Sequence, residues 1–291
     1  MKRIFLCLLT IFLILLSGCT QSEPAQVAAT TLPVYEFTAR LCQGIPITVT
    51  RLVTEEVSCL HDYSLNVRQV KAAEAAQVIV ISGGGLEDFM HDLIADREVI
   101  DASSGIELLC GGHSHEHEEE EGHHHHEEDP HIWLSVTNAK RMAENICKGL
   151  QEKYPSYQDT FADNLSFLQE DLEELDDYGN QMLANLRCRE LITFHDGFAY
   201  LADAYGLTIL KAVEEESGRE ASAKELISLI QEVEHHHLPA IFTEKSGSVS
   251  AAGIIARETG CKSFALDMAM SGESYFDAMY HNIDTIKEAL G

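Results

Sequence analysis

Basic residues are scarce. The 291-residue chain has 20 Lys and Arg against 48 Asp and Glu, a formal net charge of −28. A chain of that sign repels phosphate backbones, so no nucleic acid is expected as a partner, and cations suit it better. Acidity also serves solubility and by itself names no ligand. No Cys-x-x-Cys pair occurs, which argues against a thiolate zinc knuckle and a thioredoxin-like redox motif. Gly-x-Ser-x-Gly, His-Glu-x-x-His and a P-loop are also missing, so nucleophilic catalysis finds little support. Gly83-Gly84-Gly85 lacks the Lys-Ser/Thr of a phosphate cradle and reads as a turn into a helix at Leu86.

Long apolar runs are lacking as well. The longest, Ile4 to Leu16, falls short of the roughly 20 residues that a membrane span requires. Lys2 and Arg3 precede it and Leu16-Ser17-Gly18-Cys19 closes it, the pattern of an export signal over 1–18. The closing residues resemble the lipobox of bacterial lipoproteins. Cys19 is then the lipidated first residue of the mature chain, and the protein is expected outside the cytoplasm, anchored by lipid to the cell membrane at the cell surface or in the periplasm. Beyond Cys7 and Cys19 there are six cysteines, Cys42, Cys59, Cys110, Cys147, Cys188 and Cys261. Their connectivity cannot be assigned from sequence.

What is present is a βα rhythm. From Gln26, short apolar runs ("VAATTL", "ITVTRLV", "QVIVIS", "EVIDAS") alternate with helical stretches, and the rhythm resumes after residue 189 with "ELITF", "LTILKAV", "AIFTE" and "SFALD". Strands written as continuous apolar runs mark parallel sheets covered on both faces. Ser135 is placed to cap a helix through Ala139, Met142, Ile146 and Leu150. Ser222 with Glu225 forms a capping box. Between the halves, Ser156 to Arg187 repeats apolar residues at three- and four-residue steps (Phe161, Leu165, Leu168, Leu172, Leu175, Met182), predicting a long helix with Gly179 as its weak spot. The expected fold is α/β, two parallel-sheet βα domains bridged by one long helix: 19–151, the linking helix 152–188, and 189–291.

Ligands of parallel α/β sheets bind at the carboxyl ends of strands. The polar residues found there are His61-Asp62, His195-Asp196, Glu244 and Asp267, and His131 stands in "DPHIW" between the first half's last strand and the next helix. Three imidazoles and one carboxylate are a common tetrahedral zinc set, with Zn–N about 2.0–2.1 Å. Asp267 could equally cap the turn before Ser271. His91 and His281 fit ordinary surface roles. His235, His236 and His237 end a helix, where partial positive charge complements the dipole, and read as structural or as weak adventitious metal binders.

Gly111 to Trp133 holds eight histidines and eight carboxylates without one Lys or Arg. Most of it, at about 111–129, is a His-rich loop (His113, His115, His117, His123, His124, His125, His126) whose order would have to come from metal. On composition it is a solvated segment that binds metal because histidines do, or an auxiliary metal-binding loop.

"HDYSL", "VIVISGGGLEDF", "DPHIWLS" and "TFHDGFAYLADAYGL", in this order, resemble the zinc-binding members of the metal-specific solute-binding proteins that feed ABC importers. The resemblance runs over nearly the whole mature chain. It implies that His61, His131 and His195 are the first three ligands, and that the fourth is either Asp267, which matches the family's aspartate, or water. Manganese-binding relatives carry Glu at the third position, and His195 moves preference toward zinc. Some zinc members place Glu before the first histidine, where this chain has Leu60. The resemblance further implies a monomer that binds Zn2+ as cargo and passes it to a permease driven by an ATPase, with no covalent chemistry. Zinc affinity is expected to fall as pH drops through about 6, because ligand imidazoles must be neutral. The alternatives are a manganese or other divalent-metal binder or an adhesin of the same family, and a zinc hydrolase using water beside Glu244.

Overall fold

The computed structural model describes residues 25–57, 60, 63–110, 128–213, 222–245 and 249–291. Cys19, Cys59, His61 and the loop histidines His113 to His126 lie outside the described residues. Two four-stranded sheets, every pairing parallel, carry the chain. The first contains β1 (Ala25–Ala29), β2 (Ile47–Arg51), β3 (Val78–Ile81) and β4 (Val99–Asp101), in the order β2-β1-β3-β4. The second contains β5 (Glu190–Thr193), β6 (Thr208–Ala212), β7 (Ala240–Glu244) and β8 (Lys262–Leu266), in the order β6-β5-β7-β8. The central strands are the apolar ones: Val27, Ala28, Ala29, Val78, Ile79 and Val80 are buried, as is all of β7. The edge strands β2 and β6 are only partly covered, so the expectation of strands buried on both faces holds at the centre of each sheet alone.

Local sequence fixes the helix starts. Helix α1 (Leu32–Leu41) has Pro33 in its first turn, and α2 (Val67–Ala75) begins with an Asn66/Gln69 capping box. A single turn, α3 (His91–Ile94), follows a 3-10 segment at Asp88–Met90. The continuous helix expected from Leu86 is therefore broken. The side chain of Glu87 turns back to accept hydrogen bonds from the Ser82 and Gly83 amides at 2.8 and 3.0 Å. Ser135 caps α4 (Val136–Lys153) by accepting from the Asn138 amide.

Helix α5 (Gln158–Leu183) is the bridge, 26 residues and about 39 Å long. It starts after a 3-10 turn at Pro155–Tyr157, slightly inside the expected limits. Phe161, Leu168, Leu172 and Leu175 form its buried stripe. The helix runs unbroken through Gly179. A Cβ there would strike the Tyr205 ring, so the glycine is what lets that ring lie against the helix.

The second half continues with α6 (Ala199–Ala204), α7 (Ala223–His236), α8 (Ser250–Thr259) and α9 (Tyr275–Leu290). The Ser222/Glu225 capping box opens α7 as expected, and Ser274 caps α9. One continuous core includes side chains of both halves around α4, α5 and α9. Arg40 of α1 pairs with Asp171 of α5, and the Tyr178 hydroxyl of α5 donates to Asp284 of α9. Cys42, Cys110, Cys147, Cys188 and Cys261 are free thiols. Among the described residues, no helix is long and apolar enough to cross a membrane.

Candidate metal centre

The sheets meet around a short segment, Asp129 to Leu134. Its start is fixed by an antiparallel bridge between Cys110 and Glu128, the two described residues that flank the His-rich segment. The Asp129 amide donates to Leu109 O at 2.8 Å, and the Tyr200 hydroxyl of α6 donates to Asp129 O at 2.8 Å while accepting from the Leu109 amide at 2.9 Å. One phenol of the second half thus holds both strands of the loop base. Beyond it, Ile132–Leu134 forms a 3-10 turn whose side chains are fully buried. Trp133 locks the turn to the far side: its indole N–H donates to Met268 O at 2.8 Å, and its carbonyl accepts from the Tyr275 hydroxyl at 2.8 Å.

This scaffold leaves His131 with 3% exposure. Oδ1 of Asp129 lies 2.7 Å from His131 Nδ1 and also accepts the His131 amide at 2.9 Å. A carboxylate oxygen accepts only, so the imidazole proton resides on Nδ1 and Nε2 keeps its lone pair for an electrophile. The His131 ring faces His195, with centroids 5.3 Å apart and planes at 84°. His195 follows β5, whose end is pinned by the Phe194 amide donating to Phe242 O at 2.8 Å. Gly197 permits the approach. A Cβ there would lie 2.7 Å from Met268 Cε, 2.8 Å from His195 Cδ2 and 3.0 Å from His131 Cε1, so a side chain would have to displace these groups.

Two carboxylates stand beside this pair. Glu244, at the end of β7, has an oxygen 4.0 Å from His195 Nδ1. Burial, and secondarily the charge of Asp267, push its carboxyl up to about 7. Asp267, just past β8, is held through its backbone by Asn282, which accepts from the Asp267 amide and donates to its carbonyl, both at 2.7 Å. Its Oδ1 accepts the Ala269 amide at 2.9 Å and its Oδ2 accepts Lys245 Nζ at 3.0 Å. A cation at Asp267 would compete with the Lys245 ammonium for this carboxylate.

Of the residues the sequence singles out, His131 and His195 come together directly. Asp267 bears on Glu244, which lies 4.0 Å from His195 Nδ1, and the residue after it, Met268, accepts the Trp133 indole N–H. His61 lies outside the described residues, between buried Leu60 and Tyr63, whose amide donates to Leu60 O at 3.0 Å. Asp129, Gly197 and Asn282 were not anticipated. Only Asp129 left a signal, a carboxylate two residues before a candidate ligand. Among the described residues, three metal-ligating atoms come within 4.8 Å of one another at Glu232, His235 and His236, not at His131, His195 and Asp267. His91 and His281 are on the surface: His91 is exposed in α3, and His281 Nε2 lies 3.2 Å from Ala265 O.

Two parallel βα halves joined by a long helix, with His131 of one half facing His195 just past β5 of the other, define a solute-binding architecture. The chain belongs to the family described as zinc-uptake complex component A, periplasmic, whose profile matches residues 27–289. The zinc-binding lipoprotein AdcA of Streptococcus pneumoniae is 29% identical over 307 residues, covering 99% of this chain and 61% of the relative. The chain thus spans about three fifths of the length of that curated relative. The crystal structure of ZnuA superposes with a TM-score of 0.77 at 27% identity, over 92% of this chain and 100% of that one. The Zn(II)-bound ZnuA-like domain of Streptococcus pneumoniae AdcA gives 0.77 at 26% identity, over 91% and 98%.

Proposed function

We propose that the protein is an extracytoplasmic zinc carrier that holds Zn2+ as cargo and hands it to an ABC permease energised by its ATPase. The observation that carries this reading is His131, buried, with its Nδ1 committed to Asp129 and its ring 5.3 Å from that of His195. Nε2 of His131 and one nitrogen of His195 supply two ligands. His61 supplies the third, and Asp267 or water the fourth. Imidazole donors suit zinc, and an orienting carboxylate behind a ligand histidine raises its basicity and fixes its direction.

No covalent bond of the binding protein is made or broken; ligand atoms only exchange with water on the ion. Binding strips water from zinc, release restores it, and the protein contributes direction and exclusion. The matched family is a periplasmic component of zinc uptake, not an enzyme family. Cys19 is the lipid anchor, the His-rich segment gathers zinc for the inner site, and the halves divide at the linking helix, 19–151 and 189–291. Zinc titration of His131→Ala and His195→Ala tests the site. Each variant is expected to lose tight binding by more than about 100-fold, beyond what loss of an orienting partner alone costs. Unchanged affinity in both counts against it.

A further inference from the structure

A second group of metal-ligating side chains lies at the other end of the second sheet. Helix α7 ends in His236 and leads into the start of β7, and β5 begins at Glu190. His195, by contrast, lies beyond the carboxyl end of β5, roughly 16 Å further along at 3.3 Å per residue. Glu232 and His236 are one turn apart on α7, so their side chains stack on one face. His236 Nε2 is 3.6 Å from Glu232 Oε2, close to the edge of about 3.4 Å in a tetrahedron with 2.1 Å bonds. His235 completes the group, its ring 4.8 Å from that of His236 at 78°, and one ligand atom from each of the three residues lies within 4.8 Å of the others.

The other nitrogen of His236 is already engaged. Nδ1 lies 3.1 Å from Oε2 of Glu190. A carboxylate there accepts Nδ1–H and turns the Nε2 lone pair toward Glu232 and His235, the carboxylate–histidine–metal relay that orients ligand imidazoles. The same relay recurs at Asp129 and His131. Glu232 and Glu190 together balance a divalent charge, and the negative end of the α7 dipole adds to it. The nearest guanidinium in sequence to Glu190, that of Arg189, is committed to the carbonyls of Leu183, Ala184, Tyr205 and Gly206.

From this geometry we infer that Glu232, His235 and His236 form a second binding site for a zinc-class divalent ion, oriented by Glu190 and completed by water. The site is half exposed and built on one helix end, so it binds more weakly than a buried set would. Through Glu190 it ties the end of α7 to the start of β5.

Calorimetric Zn2+ titration of the full chain tests this, comparing the natural sequence with a His235→Ala/His236→Ala double variant. The variant is expected to keep the tight event and to lose one equivalent of the weaker binding. Equal stoichiometry in both proteins overturns the site. Side-chain 15N resonances of His235 and His236 in the natural sequence, assigned with His236→Gln, give a readout that does not depend on the double variant folding. The Nε2 signal of His236 is expected to shift beyond the first equivalent of Zn2+, and a signal that stays in place overturns the site. His195→Ala should leave this response intact, which separates it from the inner centre.

Discussion

A single oxygen, Oδ1 of Asp129, binds both the backbone amide and the imidazole Nδ1 of His131, at 2.9 and 2.7 Å. Two residues apart in sequence, they form a closed local unit that fixes the ring's tautomer and direction before any ion arrives. Preorganisation of this kind lowers the cost of binding, because the ligand does not have to be ordered by the metal.

Asp129→Ala should therefore weaken zinc binding by about 10- to 100-fold while leaving His131 in place. Calorimetry measures this, and an affinity within twofold of the natural sequence would show that the carboxylate has no orienting role.

Gly197→Ala places a methyl among Met268, His195 and His131. Part of the strain falls on the fold, about 1–3 kcal/mol by analogy with overpacked cores. The rest separates the histidines, so affinity and melting temperature should fall together. A fully stable variant with natural affinity would mean that the close approach is not needed.

Gly179→Ala inverts the usual rule. In an exposed helix interior the change stabilises by about 1 kcal/mol. Here the new Cβ meets the Tyr205 ring, so urea denaturation should instead show a destabilised protein.

Glu87 predicts a pH dependence of stability. Its carboxyl is raised to about 7, first by burial and against the hydrogen bonds donated by Thr30, Ser82 and Gly83. Between pH 4.5 and 7 the folded chain keeps a proton that the unfolded chain releases. Its contribution to stability is full below the unfolded value and is lost as pH rises through about 7, a change of about 3 kcal/mol. In Glu87→Gln the decline between pH 5 and 8 should be shallower by that amount in chemical denaturation. An unchanged slope would assign the dependence to other groups.

Much of this arrangement was legible in the chain. Apolar runs, caps and the three- and four-residue repeat of α5 announce two βα halves and a bridge, because each is a local property. That His195 follows a strand was legible from the apolar run before it, whereas its closeness to His131 appears only in the fold. Gly197 and Asn282 were not legible, since their roles depend on partners some 66 and 15 positions away, and no local pattern distinguishes them. Glu87 was hidden for a different reason. It sits in a stretch that reads as a helix, and only the fold shows that its side chain turns inward to Thr30 and to the Ser82 and Gly83 amides.

Under the proposed function, zinc is held by His61, His131 and His195 and not by the conspicuous His-rich segment. Zinc titration of three proteins decides it: the natural sequence, a variant lacking His113 to Glu127, and His195→Ala. The shortened variant should keep the tight event with fewer weak equivalents, and His195→Ala should lose the tight event. Tight binding that disappears with the segment and survives His195→Ala would contradict the account.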